Sequence, residues 1–341
     1  MKIGIVGYQG SGKSTLFHWL TGITPDPALS HSTQSAMATI PDTRVAQLCD
    51  VYKPKKITHA SLEIVDTPGL SRTHEGSATK LAAIREAGAL VVIVGAFGGA
   101  DAKADLQNFE DDLLIADLDI LSGRVERLKD QLRKPRPGKE KDQEELDLLI
   151  PLLAALEAGT PLHNYTMTPE ARKAIKSFQL FSEKPRLTII NTADDETDPA
   201  RYAALAKPGT ELFAFSVTLQ MDLAAMTDAE REEFCREMQV QPQDKDNLIR
   251  RIMHASGQMI FFTAGEKEVR TWLLRMGGTA VEAAGGIHTD LAKGFIRAET
   301  MTVADLVRLG SEREIKAAGL VRQEPKDYVI QDGDIIMVKH N

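Results

Sequence analysis

Cysteine is nearly absent from this chain. Cys49 and Cys235 are its two cysteines in 341 residues. They stand far apart with no second ligand at metal-like spacing, which excludes a disulfide framework or a thiolate metal site and fits a reducing compartment. An excess of basic residues is missing too: 41 Lys and Arg face 49 Asp and Glu, for a formal net charge of −8. That balance argues against a large nucleic-acid-binding surface and leaves room only for a local basic patch. No apolar run reaches the roughly 20 residues that span a bilayer, and the first residues enter a strand with no basic region or cleavage site before it. The expectation is a soluble, cytoplasmic protein without a membrane partner, long enough for two or three domains.

What is present is concentrated at the start. Residues 2–6 read as a short buried strand, residues 7–14 (GYQGSGKS) fit G-x-x-x-x-G-K-[ST] without a mismatch, and a helix follows. Glycines at 7, 10 and 12 let the backbone curl until successive N–H groups, those of Gly10, Ser11 and Gly12 among them, face one concavity suited to anionic oxygens. Lys13 would set its charge against β- and γ-phosphates, the Ser14 hydroxyl would ligate Mg²⁺, and Thr15 would touch the α-phosphate. The chemistry expected is a P-loop nucleoside triphosphatase using Mg²⁺ and GTP or ATP.

Further along, residues 21–38 are polar and without periodicity, as a switch loop would be. Thr33 is its best candidate Mg²⁺ ligand, with Thr39 second. An apolar strand then ends in Asp66-Thr67-Pro68-Gly69. Asp66 could hold Mg²⁺ through water, and the Gly69 N–H could sense a γ-phosphate. Leu70 follows, where Ras-like enzymes carry the glutamine that orients water. Water must then be placed by backbone, by potassium or by a switch residue such as His74. Strands at 89–94, 186–191 and 212–216 complete a sheet. Asn191 and Asp194, after the second of these, resemble N-K-x-D with the lysine lost; Asp194 could accept from N1–H and the 2-amino group of guanine. Ser216 and Val217, after the third, fall where GTPases set a backbone N–H against the base. These loops share the carboxyl edge of an open α/β sheet, the usual ligand side.

Between the strands lies an insertion. Leu114, Leu118, Leu121, Val125, Leu128 and Leu132 form a heptad seam, Leu146, Leu149, Leu153 and Leu156 form a second, and residues 135–141 must turn. This predicts an antiparallel helical hairpin with a break or kink near Ile150, ahead of Pro151. Its tip carries Lys129, Arg133, Lys134, Arg136, Lys139 and Lys141, which could touch RNA phosphates or simply be solvated. Residues 224–238 and 245–257 read as helices. From 260 onward short strands flank one helix (303–319), with a closing hairpin around 331–334, as in a small β-grasp module. The division is 1–97 with 186–259 for the nucleotide domain, 98–185 for the helical domain and 260–341 for the β-grasp.

With those residues in view, the chain resembles the YchF/OLA1 family of Obg-related P-loop GTPases and ATPases. The likeness rests on 261–270 (FFTAGEKEVR), 284–290 (AGGIHTD), 293–299 (KGFIRAE), 328–334 (YVIQDGD) and 51–57 (VYKPKKI). It implies a Ras-like G domain, an inserted helical domain, a ubiquitin-like TGS domain at the C-terminal end, and nucleotide hydrolysis coupled to the ribosome or translation factors. Leu70 agrees with that family's hydrophobic replacement of the catalytic glutamine. The chain departs from the pattern at residues 10–13 (Gly-Ser-Gly-Lys for Asn-Val-Gly-Lys), at 66–69 (Asp-Thr-Pro-Gly for Asp-Ile-Ala-Gly), in a shortened stretch after them, and at Asp194, where a glutamate linked with ATP preference is usual. It therefore reads as a divergent paralogue. Guanine and adenine both stay open, as do a nucleotide-responsive scaffold with little hydrolysis and a P-loop metabolite kinase.

Overall fold

The structure is a computed structural model that describes residues 1–29, 32–73, 77–133, 137–207 and 209–341. In chain order its first elements are β1 (Lys2–Val6), α1 (Lys13–Thr21), β2 (Gln34–Thr39), α2 (Thr43–Tyr52), β3 (Ile57–Thr58), β4 (Ser61–Asp66), α3 (Ser77–Arg85) and β5 (Ala89–Ala96). The helices α4 (Ala102–Arg133), α5 (Lys139–Glu157) and α6 (Pro169–Ile175) lead to β6 (Arg186–Thr192), β7 (Glu211–Phe215), α7 (Val217–Ala225) and α8 (Asp228–Met238). The rest comprises α9 (Lys245–Ala255), β8 (Gln258–Ala264), β9 (Val269–Arg275), α10 (Ala280–Ile287), α11 (Thr289–Lys293), β10 (Phe295–Thr302), α12 (Val303–Leu309), α13 (Glu312–Ala317), β11 (Arg322–Glu324) and β12 (Asp334–His340).

The chain divides into two compact units, one of residues 1–36 with 63–243, the other of 37–62 with 244–341. In the first, the sheet runs β2-β4-β1-β5-β6-β7, with β1, β5, β6 and β7 joined by parallel pairing. Continuous burial along β1 and β5 is what a parallel sheet covered on both faces demands. Because β1 lies between β4 and β5, connections diverge at its carboxyl end, and the loop that follows opens there.

Helices α4 and α5 form the predicted hairpin. Leu121, Val125 and Leu128 are buried against Leu146, Leu149, Leu152 and Leu156, so the second seam runs through Leu152 with Leu153 beside it. The break expected before Pro151 does not occur; α5 continues from Lys139 to Glu157. Proline removes the bond to the carbonyl of residue 147, but Asp147, Ile150 and Pro151 are all exposed, so water can satisfy that carbonyl. The first half of α4 belongs to the sheet instead, with Leu106, Phe109 and Leu113 in one core with Val92, Val94 and Ile190. The helix expected over 224–238 is two helices, because Thr227 forms a capping box with Glu230 and restarts the chain as α8, a device worth about 1 kcal/mol.

In the second unit the sheet order is β11-β10-β12-β8-β9-β3. β8 and β9 form an antiparallel hairpin, β12 runs parallel to β8 and antiparallel to β10, and α10 crosses between β9 and β10. That is the β-grasp topology. Three of its details differ from expectation. The helix read over 303–319 is two, α12 and α13, parted where Gly310 turns left-handed at φ 79°. Residues 280–287 and 289–293 are helical, parted by extended His288, and a Thr279–Glu282 capping box opens the first. Residues 331–334 make a turn into β12 rather than a hairpin, since β11 pairs with β10. The segment 37–62 adds α2 and β3 to this unit. Asp42 caps α2, Arg44 reaches Asp332 at 2.8 Å, Tyr52 donates to Glu312 at 2.8 Å, and β3 pairs with β9.

Candidate functional site

The loop after β1 is shaped by its glycines. Gly7, Gly10 and Gly12 all have positive φ, at 152°, 78° and 100°, and a Cβ on Gly7 would lie 2.2 Å from the Ile93 carbonyl oxygen. Helix α1 begins at Lys13, and the N–H groups of its first turn have no acceptor inside the helix. They open on a cleft of about 390 Å³ whose wall includes Gly10, Lys13, Ser14, Asp66 and Gly69.

Within this cleft Lys13 is buried and donates to the Tyr8 carbonyl at 2.7 Å. Burial lowers its pKa to about 8, against the opposing pull of Asp66. Ser14 donates to Asp66 Oδ2 at 2.6 Å, and burial pushes the Asp66 carboxyl above its ordinary value. Two buried oxygens here have no hydrogen-bond partner, Asp66 Oδ1 and Ser11 Oγ. Such groups are costly to leave unpaired, and Asp66 Oδ1, on the cleft wall, is an oxygen that a hard, oxygen-seeking cation beside phosphate would satisfy. Among the described residues no three His, Cys, Asp or Glu side chains group as a protein-only metal cage. Ser14 and Asp66 are therefore the pair that could hold Mg²⁺, with phosphate and water completing its shell. Gly69 lies against the cleft so tightly that a Cβ there would come within 2.6 Å of Lys13 Nζ.

Known proteins resemble this chain along its whole length. Residues 2–121 match the family described as 50S ribosome-binding GTPase, and residues 259–341 match the YchF-GTPase_C family, described as a protein of unknown function. A ribosome-binding ATPase YchF of Bacillus subtilis is 32% identical over 100% of this chain and 99% of its own length. The chain belongs to the YchF/Obg-like ATPase family. An Obg-like ATPase 1 of Oryza sativa subsp. japonica is also 32% identical, over 100% of the chain and 92% of its length. The structure of the Schizosaccharomyces pombe YchF GTPase superposes with a TM-score of 0.85 at 28% identity, covering 99% of this chain and 97% of that one.

In this family member the other candidate residues are distributed unevenly. Asn191 is buried and bonded at both amide atoms: it donates to the Ser11 carbonyl at 3.1 Å and accepts from the Val217 N–H at 2.9 Å. It thus ties the glycine loop to the start of α7, and the Val217 N–H is occupied by it. Asp194 is exposed and accepts a short hydrogen bond from Ser216, whose hydroxyl also caps α7 by accepting from the Leu219 N–H. A hollow of about 130 Å³ is bordered by Thr192, Asp194, Ser216 and Gln220. Thr15 is half-buried on α1. Thr33 is exposed and does not line the cleft, although Ser32 and Gln34 do; the loop there is closed by reciprocal bonds between Asp26 and Gln34, and its end is strand β2 rather than loop. Thr39 is exposed on β2. His74, Lys134 and Arg136 lie outside the described residues, while Lys129, Arg133, Lys139 and Lys141 are exposed at the hairpin tip.

Leu70 is 1% exposed and packs in the core with Tyr8 and Phe109. Its backbone bonds the glycine loop twice, Gln9 N–H to its oxygen at 2.9 Å and its own N–H to Gly7 at 3.1 Å. The residues that sequence reasoning missed join this edge to α4. Tyr8 donates to Asp112 at 2.8 Å, Arg72 pairs with Asp105 at 2.6 Å, and Arg85 pairs with fully buried Asp117 at 3.0 Å. Motif spacing carries no signal for them, because each partner lies over thirty positions away.

Proposed function

We propose that this chain is a Mg²⁺-dependent nucleoside triphosphatase that couples hydrolysis of a purine triphosphate to ribosome binding. The observation that carries the reading is the buried, unpartnered Asp66 Oδ1, which shares with Lys13 and Ser14 a cleft walled by a glycine loop and a helix start. A triphosphate would take the amide N–H groups of residues 10–15 and draw Lys13 from the Tyr8 carbonyl onto β- and γ-oxygens. Mg²⁺ held by Ser14 and Asp66 would supply charge neutralisation at those oxygens. Gly69, against Lys13, would report the γ-phosphate through its N–H. Asp194 would read the base once Ser216 yields it, which favours guanine by geometry, while the relatives named as ATPases favour adenine. The ribosome enters from the names of those relatives, and the exposed Lys129, Arg133, Lys139 and Lys141 at the hairpin tip suit RNA phosphates.

Burial of Leu70 supports a second reading, a nucleotide-responsive scaffold that scarcely hydrolyses, since no side chain at that position can orient water. One experiment decides between them: phosphate release from GTP and ATP with Mg²⁺, with and without ribosomes, by wild type and Lys13→Ala. Turnover in wild type that is lost in the variant is expected. Binding without turnover under every condition selects the scaffold, and equal turnover in the variant overturns the site.

A further inference from the structure

Leu70 in the core cannot orient water, so stabilisation of the charge that develops on the transferring phosphoryl group gains weight, and among the described residues of this loop the cation is Arg72. The chain before it is fixed: Leu70 is bonded to Gly7 and Gln9, and Gly69 abuts Lys13. The Arg72 guanidinium lies 5.1 Å from the centre of the Tyr8 ring, and it is the Tyr8 carbonyl that holds Lys13. Tyr8 precedes cleft-lining Gln9 on the glycine loop, and Arg72 follows cleft-lining Gly69 by three residues, so the guanidinium lies beside the loop that walls the phosphate cleft. Two bonds turn it aside, Nε to Asp105 Oδ1 at 3.1 Å and Nη2 to Asp105 Oδ2 at 2.6 Å. Asp105 stands in the first turn of α4. The arginine side chain is 51% exposed while Asp105 is 14% exposed, so the guanidinium has room to leave a sheltered carboxylate, and the forked geometry that grips a carboxylate grips a phosphoryl group equally well.

We propose that Arg72 is a catalytic cation stored on Asp105, and that on release it contacts the γ-phosphoryl group during hydrolysis. In that step a water oxygen bonds to the γ-phosphorus, the bond from that phosphorus to the β–γ bridging oxygen breaks, and its electron pair leaves with the diphosphate. A water proton passes to the released phosphate. Arg72 exchanges no proton, since guanidinium stays charged; it donates N–H groups to the equatorial oxygens as an arginine supplied in cis does. The proposal rests on the hydrolytic reading above.

The test is phosphate release and fluorescent-nucleotide affinity for wild type, Asp105→Asn, Arg72→Gln and the double variant, with melting temperatures to confirm folding. Asp105→Asn keeps shape and frees the arginine, so its turnover should rise about tenfold, while Arg72→Gln and the double variant fall below wild type by about tenfold or more, with affinities within about threefold. The opposite signs are the signature, because a merely structural pair would change alike when either partner is altered. A hydrolysing wild type with an unchanged Asp105→Asn, or a double variant as fast as Asp105→Asn alone, overturns the proposal and leaves hydrolysis standing. Nucleotide bound by all four proteins with no phosphate released overturns both.

Discussion

The two ends of the candidate nucleotide site are built on opposite principles. At the phosphate end the side chains are buried and left wanting: Asp66 Oδ1 and Ser11 Oγ have no partner, and burial drives Lys13 down and Asp66 up in pKa. At the base end the polar groups already satisfy one another. Asn191 spends both amide atoms on backbone, and Asp194 is engaged by Ser216. A polyanion with its cation relieves cost at the first end, whereas a base must displace an internal bond at the second. The difference teaches that affinity should come from the phosphates and that base choice should be weak.

The harshest way to break that contrast is Gly12→Ala. Gly12 has φ of 100°, and a Cβ there would lie 2.2 Å from Asn191 Nδ2, so one methyl strains the cradle and pushes away the residue that ties it to α7. Nucleotide affinity should fall by about 100-fold or more in a fluorescence titration; wild-type affinity would show that Asn191 is no brace. The next effect is set by pH. Lys13 titrates at about 8 in the free chain, and a bound polyanion must raise that value. Below pH 8 the lysine is already charged and affinity is flat. Above it, binding must take up a proton, so affinity falls by up to about tenfold per pH unit. Calorimetry in buffers of different ionisation enthalpy should find proton uptake near one at pH 9 and little at pH 7. The same depression has a sign in the free chain: the cost of a buried charged lysine is present below pH 8 and disappears as pH rises towards 10.5, so this group makes the unliganded fold more stable across that window.

Much of this was legible in the residues themselves. The glycine loop, Lys13, Ser14, Asp66 and Gly69 are constrained by local chemistry, and a strand, loop and helix in direct succession leave one arrangement. The heptads of α4 and α5 were legible for the same reason, since a leucine seam dictates its partner. What stayed hidden depends on distant partners. Val45 and Leu48 are buried on α2, but nothing in their spacing says that this helix joins the β-grasp sheet. Asn191 has the residue type of a base reader, yet two backbone groups from remote loops claim it first. Pro151 predicts a break only where its freed carbonyl would be buried, and burial is a tertiary fact.

The mildest and most discriminating change is Ser216→Ala, which acts on the base end alone. The Ser216 hydroxyl does two jobs, capping α7 at 3.1 Å from the Leu219 N–H and donating to Asp194. Removing it should cost about 1 kcal/mol of stability through the lost cap, seen as a small drop in melting temperature. It also leaves the exposed carboxylate of Asp194 free to accept from a ligand. Guanine offers two donors to that carboxylate and adenine offers none in the same geometry, so the ratio of GTP to ATP affinity should rise by about three- to tenfold in a competition titration, the worth of one charge-assisted bond partly offset by desolvation. Asp194→Ala in the Ser216→Ala background should cancel the gain. A lower melting temperature with an unmoved ratio would assign Ser216 to capping alone and remove Asp194 from base recognition, leaving the phosphate end as the whole of what this site reads.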